Sequence, residues 1–352
     1  MGQLTRRHFG AAAAAAAASA WSPASTFAQS GAPSPFERKT IHFYVGIPPG
    51  GAYDLVPRIF ASHMSKHIPG NPTIVVENMP GAASLTMMNY LYNRAAKDGT
   101  AVGFPMNTVL LEPTLKLVSR SGGVVNFDLS KMGWLGTPGQ DPAVIWVKGD
   151  SDIKTFADLR KHGEIRFGAT APGADSYLLP VLCNRLLGTS IKVISGYQGV
   201  AEYMVAFERG EIEGGATTYA ALSVARPEWI KQGRIRILAQ FGATRSADLP
   251  DAPTAIELAS DDETREMLRL FAVKFTAAYP VALPPDVPAD RREMLRAAFV
   301  ATTKDPAFLA DLAKLNIPPG AVSAQEVEDL LRGAAQVSPA LVDRLRGVLT
   351  VE

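Results

Sequence analysis

Residues 41–58 read IHFYVGIPPGGAYDLVPR, and they decide the architecture because an apolar strand runs through a Pro-Pro-Gly-Gly turn straight into a helix. Ile41, Phe43, Val45 and Ile47 alternate with His42, Tyr44 and Gly46, the period-two pattern of a strand packed mainly on one face. Gly50 and Gly51 let the backbone bend and come close to a ligand with no Cβ in the way. The helix that follows offers unpaired N–H groups at its first turn, an anion-binding geometry. Asp54 falls at or near the cap, Pro57 in the first turn, and Arg58 four residues after Asp54 on the same face. The stretch fits a capped, ion-paired helix start without a ligand equally well, since neither GxGxxG nor GxxxxGK is present.

At 352 residues, 47% hydrophobic and 20% charged, the chain has the composition of an ordinary soluble protein with room for two domains. Arg6 and Arg7 precede a small-residue apolar run containing eight consecutive alanines from Ala11, and Thr26, Phe27 and Ala28 supply a small-residue cleavage site. This reads as a twin-arginine export signal over residues 1–28, too short to span a bilayer. Its removal leaves 33 basic against 34 acidic residues, a balance with no bias toward nucleic acid or anionic membrane. The single cysteine, Cys183, excludes an intrachain disulfide, and its apolar surroundings mark it as a packing residue.

After a tether over residues 29–36, the strand, small-residue loop and helix unit recurs. Residues 73–76 form a strand, 77–83 a loop containing Pro80, Gly81 and Ala82, and 84–96 a helix. A third strand over 101–106 leads to a loop site at Asn107 and Thr108. The chain then crosses near residues 133–150. Beyond it, the strand at 165–170 ends in Ala171, Pro172, Gly173, Ala174, Asp175 and Ser176, a second glycine loop closed by two good caps. The strand at 191–194 runs into Ser195, Gly196, Tyr197, Gln198 and Gly199, and strands at 213–218 and 235–241 complete a second parallel sheet. Thr155 with Asp158, and Ser323 with Glu326, read as capping boxes. The tail from residue 261 is expected to return and cover the first domain. Strands alternating with helices define an α/β fold whose ligand sits outside the carboxyl ends of the strands.

The usual catalytic signatures HExxH, GxSxG, Walker A and CxxC are absent. His63 and His67 lie four apart on one helix, but no third ligand accompanies them, so no metal is assigned. Glu208, Glu211 and Glu213 read as a solvated face.

The segments PPGGAYDLVPR, VVENMPGAAS, KDGTAVGF, KTFADL, FGATAPGADS, GYQGVAEYMVAFERGEIEG and RIRILAQFGATRSADLPDAPTAIEL, taken in order, resemble the substrate-binding receptors of tripartite tricarboxylate transporters, the Bordetella uptake gene family. The resemblance covers nearly the whole chain after the signal. It implies a type II periplasmic binding protein of two α/β domains with a ligand cleft and hinge between them. Domain 1 is then residues 37–141 with 246–352, and domain 2 is residues 142–245. The implied protein is a periplasmic, monomeric receptor that captures a small organic carboxylate and delivers it to membrane permease subunits, with no cofactor, metal, nucleic acid or catalytic residue. A ligand-sensing protein that docks on a membrane kinase, or a periplasmic enzyme on the same fold, are the alternatives. Carried over by motif, the ligand site comprises Gly50, Gly51, Tyr53, Asp54, Gly81, Ala82, Gly173, Asp175, Ser176 and Gln198, to which the loop after the third strand adds Asn107 and Thr108. This sequence departs from the family where Gln198 replaces the usual lysine, Asp175 a glycine and Leu179 a histidine. Residues 275–283 also replace a tryptophan-containing segment. Two of these changes remove positive or ionisable character and one adds negative charge, so the ligand is expected to be less anionic than a tricarboxylate or held by backbone amides.

Micromolar binding requires about 8 kcal/mol, whereas a helix terminus supplies only ~0.3–2 kcal/mol. Several loops must therefore converge, with closure excluding water so that each hydrogen bond to charge reaches roughly 1.5–3 kcal/mol. Asp54 is expected to cap its helix and orient waters rather than touch a carboxylate.

Overall fold

The computed structural model describes residues 34–350 apart from Gly51, Val118, Arg120, Ser121, Asn316 and Pro318. The export signal read in the sequence lies outside the described residues.

The first lobe opens with β1 (Thr40–Val45), α1 (Ala52–Met64), β2 (Thr73–Asn78), α2 (Leu85–Asn93), β3 (Ala101–Phe104), the short α3 (Glu112–Leu115) and β4 (Gly133–Thr137). The chain crosses into β5 (Ala143–Lys148), α4 (Phe156–Lys161), β6 (Ile165–Gly168), α5 (Asp175–Leu187), β7 (Ile191–Ile194), α6 (Val200–Glu208), β8 (Gly214–Thr218), α7 (Tyr219–Ala225), α8 (Pro227–Lys231) and β9 (Ile235–Phe241). It returns through α9 (Asp262–Thr276) to β10 (Val281–Leu283), α10 (Ala289–Thr303), α11 (Pro306–Lys314), β11 (Val322–Ser323), α12 (Ala324–Gln336) and α13 (Pro339–Leu349). Both expected capping boxes are formed, at the starts of α4 and α12.

The strand order is β11-β4-β10-β3-β1-β2 in the first sheet and β7-β6-β8-β5-β9 in the second. Setting aside the edge strand β11, both sheets follow one plan: second, first and third strand of the lobe, then the strand that enters it, then the strand that leaves it. The second sheet is not wholly parallel as expected, because β5 pairs antiparallel with both β8 and β9. The same holds for β10 against β3 and β4. The reason is topological. A strand entering a lobe starts at the junction and runs away from it, whereas strands that end in the junction loops run toward it.

Burial of β1 also differs from the sequence expectation of one packed face. Ile41, Phe43 and Val45 face a core built with Phe60, Phe299 and Phe308, while Tyr44 is buried on the opposite face among Leu85, Met88 and Leu91. As an inner strand with helices on both sides, β1 meets solvent only at its start, where Thr40 is exposed and His42 pairs with Glu77 at the surface. In the second lobe Val144 and Trp146 of β5 point into a cluster with Phe207 and Trp229, and Ile145 and Val147 into another with α5. The returning tail is divided. β10 and β11 join the first sheet and α10 and α11 pack on α1, whereas the apolar faces of α9 and α13 enter the core that contains α5.

Gly215 on β8 shows how tightly these layers close, since a Cβ there would lie 2.6 Å from Cζ2 of Trp146. Gly215→Ala is expected to destabilise the protein by about 1–3 kcal/mol. This is measured as a lower urea midpoint; an unchanged midpoint would show that the β5–β8 contact has slack.

Candidate functional site

The parallel strands of both sheets end in small-residue loops at the junction between lobes. In the first lobe, Gly50 adopts φ +103° and its N–H donates to Asp54 Oδ2 at 2.9 Å. Asp54, 4% exposed, also accepts from Arg58 Nε at 3.0 Å and Asn78 Nδ2 at 2.8 Å. Asn78 in turn donates to the carbonyl of Ile47 at 2.9 Å. Burial alone would raise the Asp54 carboxyl, but the Arg58, Asn78 and Gly50 donors outweigh it and hold it below the usual carboxylate range. The Asp54 carboxylate therefore bolts the end of β2 to the loop after β1. Gly51 lies outside the described residues.

The second loop is unusual in its backbone. Gly81, Ala82, Ala83 and Ser84 all have positive φ, at +143°, +44°, +48° and +76°. Such a run of non-glycine residues in the left-handed region is strained and persists only where surroundings hold it. Ser84 supplies the hold, as its hydroxyl donates to the Gly46 carbonyl at 3.0 Å and accepts from Met106 N–H at 2.9 Å. The approach is so close that a Cβ on Gly46 would sit 2.3 Å from Ser84 Oγ. The third loop places Asn107, buried, against the carbonyl of Lys274 at 2.7 Å, and leaves Thr108 Oγ1 buried without a hydrogen-bond partner.

In the second lobe Ser176 plays the part that Ser84 plays in the first. It is buried, and its Oγ accepts from Thr170 N–H at 3.0 Å. Gly173 and Gly196 have φ +90° and +112°, and a Cβ at Gly50, Gly173, Gly196 or Gly199 would meet nothing within 4 Å. Those four glycines thus border open space. Gln198 is exposed, with its N–H donated to the Glu202 carboxylate. Asp175, at the first turn of α5, pairs with the ammonium of Lys274 on α9.

Beneath the loops a chain of contacts joins the lobes. Tyr53 packs on Tyr279 with centroids 5.1 Å apart, Tyr279 Oη donates to Asp141 Oδ2 at 3.1 Å, and Ala220 N–H of α7 donates to Asp141 Oδ1 at 2.9 Å. Burial raises the Asp141 carboxyl to about 6, with the negative charge of Asp175 adding to the rise and the Ala220, Thr218 and Tyr279 donors opposing it. The Tyr53 phenol is pushed well above its ordinary value by burial and then by Asp141 and Asp175. Tyr53 and Asp175 from the sequence reading thus meet at one floor with Asp141, Lys274 and Tyr279, which that reading did not single out. Lys274 was detectable as the one charge in the apolar run 270–275, and Asp141 as a carboxylate set between the two lobes. Cavities of about 700 Å³ beside Trp134 and Arg292, and about 630 Å³ behind the crossing at Gln140 and Thr244, include none of these loops in their walls. His63 and His67 each bond an aspartate, Asp311 and Asp305, and no metal-binding cluster occurs among the described residues.

Two α/β lobes of one strand order, joined by paired crossings with glycine loops at the junction, define a two-lobed solute-binding protein of the type II periplasmic class. The chain belongs to the tripartite tricarboxylate transporter family receptors, TctC, whose pattern it matches over residues 56–346. It is 24% identical over 350 residues to the UPF0065 protein in gbd 5′ region of Cupriavidus necator, covering 97% of this chain and 98% of that protein. A TctC solute-binding protein from Polaromonas, solved without ligand, superposes with TM-score 0.66 at 19% identity over 88% of this chain and 97% of its own. An R. palustris protein solved with adipate gives TM-score 0.61, 19% identity and the same coverage of 88% and 97%.

Asp141 makes stability depend on pH in a stated direction. Its folded value of about 6 exceeds the ordinary 3.8, so the fold favours the protonated form. That contribution is complete below about pH 4 and is lost as pH rises through about 6. Asp141→Asn is expected to abolish it, so the stability of wild type relative to the variant falls by up to roughly 3 kcal/mol between those limits. Urea midpoints of both proteins at pH 4 and pH 7 measure it, and a pH-independent difference would refute the assignment.

Proposed function

We propose that this protein is an exported solute receptor that closes on a small organic carboxylate and delivers it to a tripartite tricarboxylate-type permease. The observation that carries the reading is the ring of glycines bordering open space at the strand ends of both lobes. There a carboxylate can approach the main chain of Gly173 and Gly199 with no Cβ in the way, the N–H groups of Gly50 and Gly196 being already given to Asp54 and to the Thr170 carbonyl. Family membership and the adipate seen in a structural relative support the ligand class. Asp54, Ser84 and Ser176 serve as braces in this account, holding the loops so that little ordering remains to be done when ligand arrives. Closure about the Asp141 and Tyr279 contacts brings the two sets of loops onto opposite sides of the ligand. The receptor acts as a monomer in the periplasm, catalyses no reaction and requires no cofactor.

Gly199 offers a direct test, because it caps α6 in an extended conformation and its Cβ position is open. Gly199→Asn supplies an equally good cap, so unliganded stability is expected to stay within about 0.5 kcal/mol of wild type. Carboxylate affinity, followed by calorimetry or by ligand-induced thermal shift, is expected to fall at least about tenfold, a loss of ~1.4 kcal/mol. Full affinity in this variant would remove the loop from the site.

A further inference from the structure

Lys274 is 1% exposed and its side chain ends against Asp175 between the lobes. Its carbonyl is held by Asn107 of the first lobe, and its ammonium lies 4.8 Å and 4.9 Å from the ring centroids of Phe271 and Phe275. A buried ammonium is tolerable only with a partner, and the partner here is the Asp175 carboxylate. Asp175 is close enough to Asp141 and Tyr53 for its charge to act on both. The floor thus holds two carboxylates and one ammonium. The junction loops at 46–50, 79–84, 105–108, 169–174 and 195–199 contain no lysine or arginine, and Arg58 nearby is already bonded to Asp54 and Asn78. No side-chain cation of these loops is left for a ligand.

We propose that Asp175 is a built-in carboxylate that occupies Lys274 and thereby makes the receptor selective for monocarboxylates. The inference rests on the carboxylate reading above and deepens it. One ligand carboxylate is met by backbone N–H groups at the open Gly173 and Gly199. A second would approach Asp175 with no cation to receive it, and like charges brought together in a site suppress the wrong partner. The selectivity comes from a residue of the protein competing for the same ammonium that a longer anion would use.

Hexanoate and adipate have the same carbon count and differ by one carboxylate, so calorimetry of the full chain with each isolates the effect. Wild type is expected to bind hexanoate at least about tenfold more tightly than adipate. Asp175→Asn frees the ammonium and is expected to raise adipate affinity at least about tenfold, and adding Lys274→Met is expected to remove that gain. If Asp175→Asn does not fold alone, it is expected to be recovered folded with adipate and not with hexanoate, and failure with both counts against the proposal. An unchanged hexanoate-to-adipate ratio in Asp175→Asn, or a wild type that takes both equally, overturns the role of Asp175 while leaving the receptor reading intact. A wild type that binds neither overturns the carboxylate reading itself.

Discussion

The two lobes are joined at one buried carboxylate. Asp141 sits on the crossing between β4 and β5, accepts a hydrogen bond from the Tyr279 hydroxyl just before β10, and accepts the Ala220 N–H in the first turn of α7. Its own N–H bonds the carbonyl of Phe275, and Thr137 Oγ1 accepts from Tyr279 N–H at 3.0 Å, so outgoing and returning segments are fastened together. Burying an ionisable acid is unfavourable, and its raised pKa records the penalty. What is gained is a fixed point of attachment where the outgoing and returning segments meet α7.

Around that joint the two lobes solve the same problem twice. Each ends its first strand in a loop stabilised by a buried serine at the start of a helix, Ser84 in one and Ser176 in the other, and each leaves glycines bordering open space. The polar side chains of the loops are largely consumed in holding the loops themselves. Asp54 answers to Gly50, Arg58 and Asn78, and Asp175 answers to Lys274. On the proposed reading, recognition then falls to the main chain, with the side chains deciding what charge the floor presents.

Features carried by neighbouring residues were legible in the sequence. The β1 to α1 turn, the glycine loops and both capping boxes depend on spacings of a few residues, and the alternation around Phe43 announced its strand. What depends on distant partners was not. Lys274 meets a residue 99 positions away, and nothing local tells a buried lysine from a surface one. Tyr44 looked like the wet face of a strand because its hydroxyl is polar, yet its ring packs edge-on against Tyr90 inside a second core. Pro57 was read as a first-turn proline, but it is the sixth residue of its helix, as Pro180 is of α5, and the two give no N–H to the carbonyls of Tyr53 and Ser176. Strand direction in the second sheet followed from where the chain crosses, which composition does not encode.

The pairing of entering with leaving strands has a mechanical consequence. β4 lies beside β10 and β5 beside β9, but the two crossings differ in kind: the outgoing one spans only residues 138–142, whereas the returning one runs through α9, which is packed in the core that holds α5. One crossing is thus a short tether and the other a helix embedded in apolar contacts, so a change in the angle between lobes has to be absorbed by side chains sliding over α9 as well as by backbone torsions at the tether.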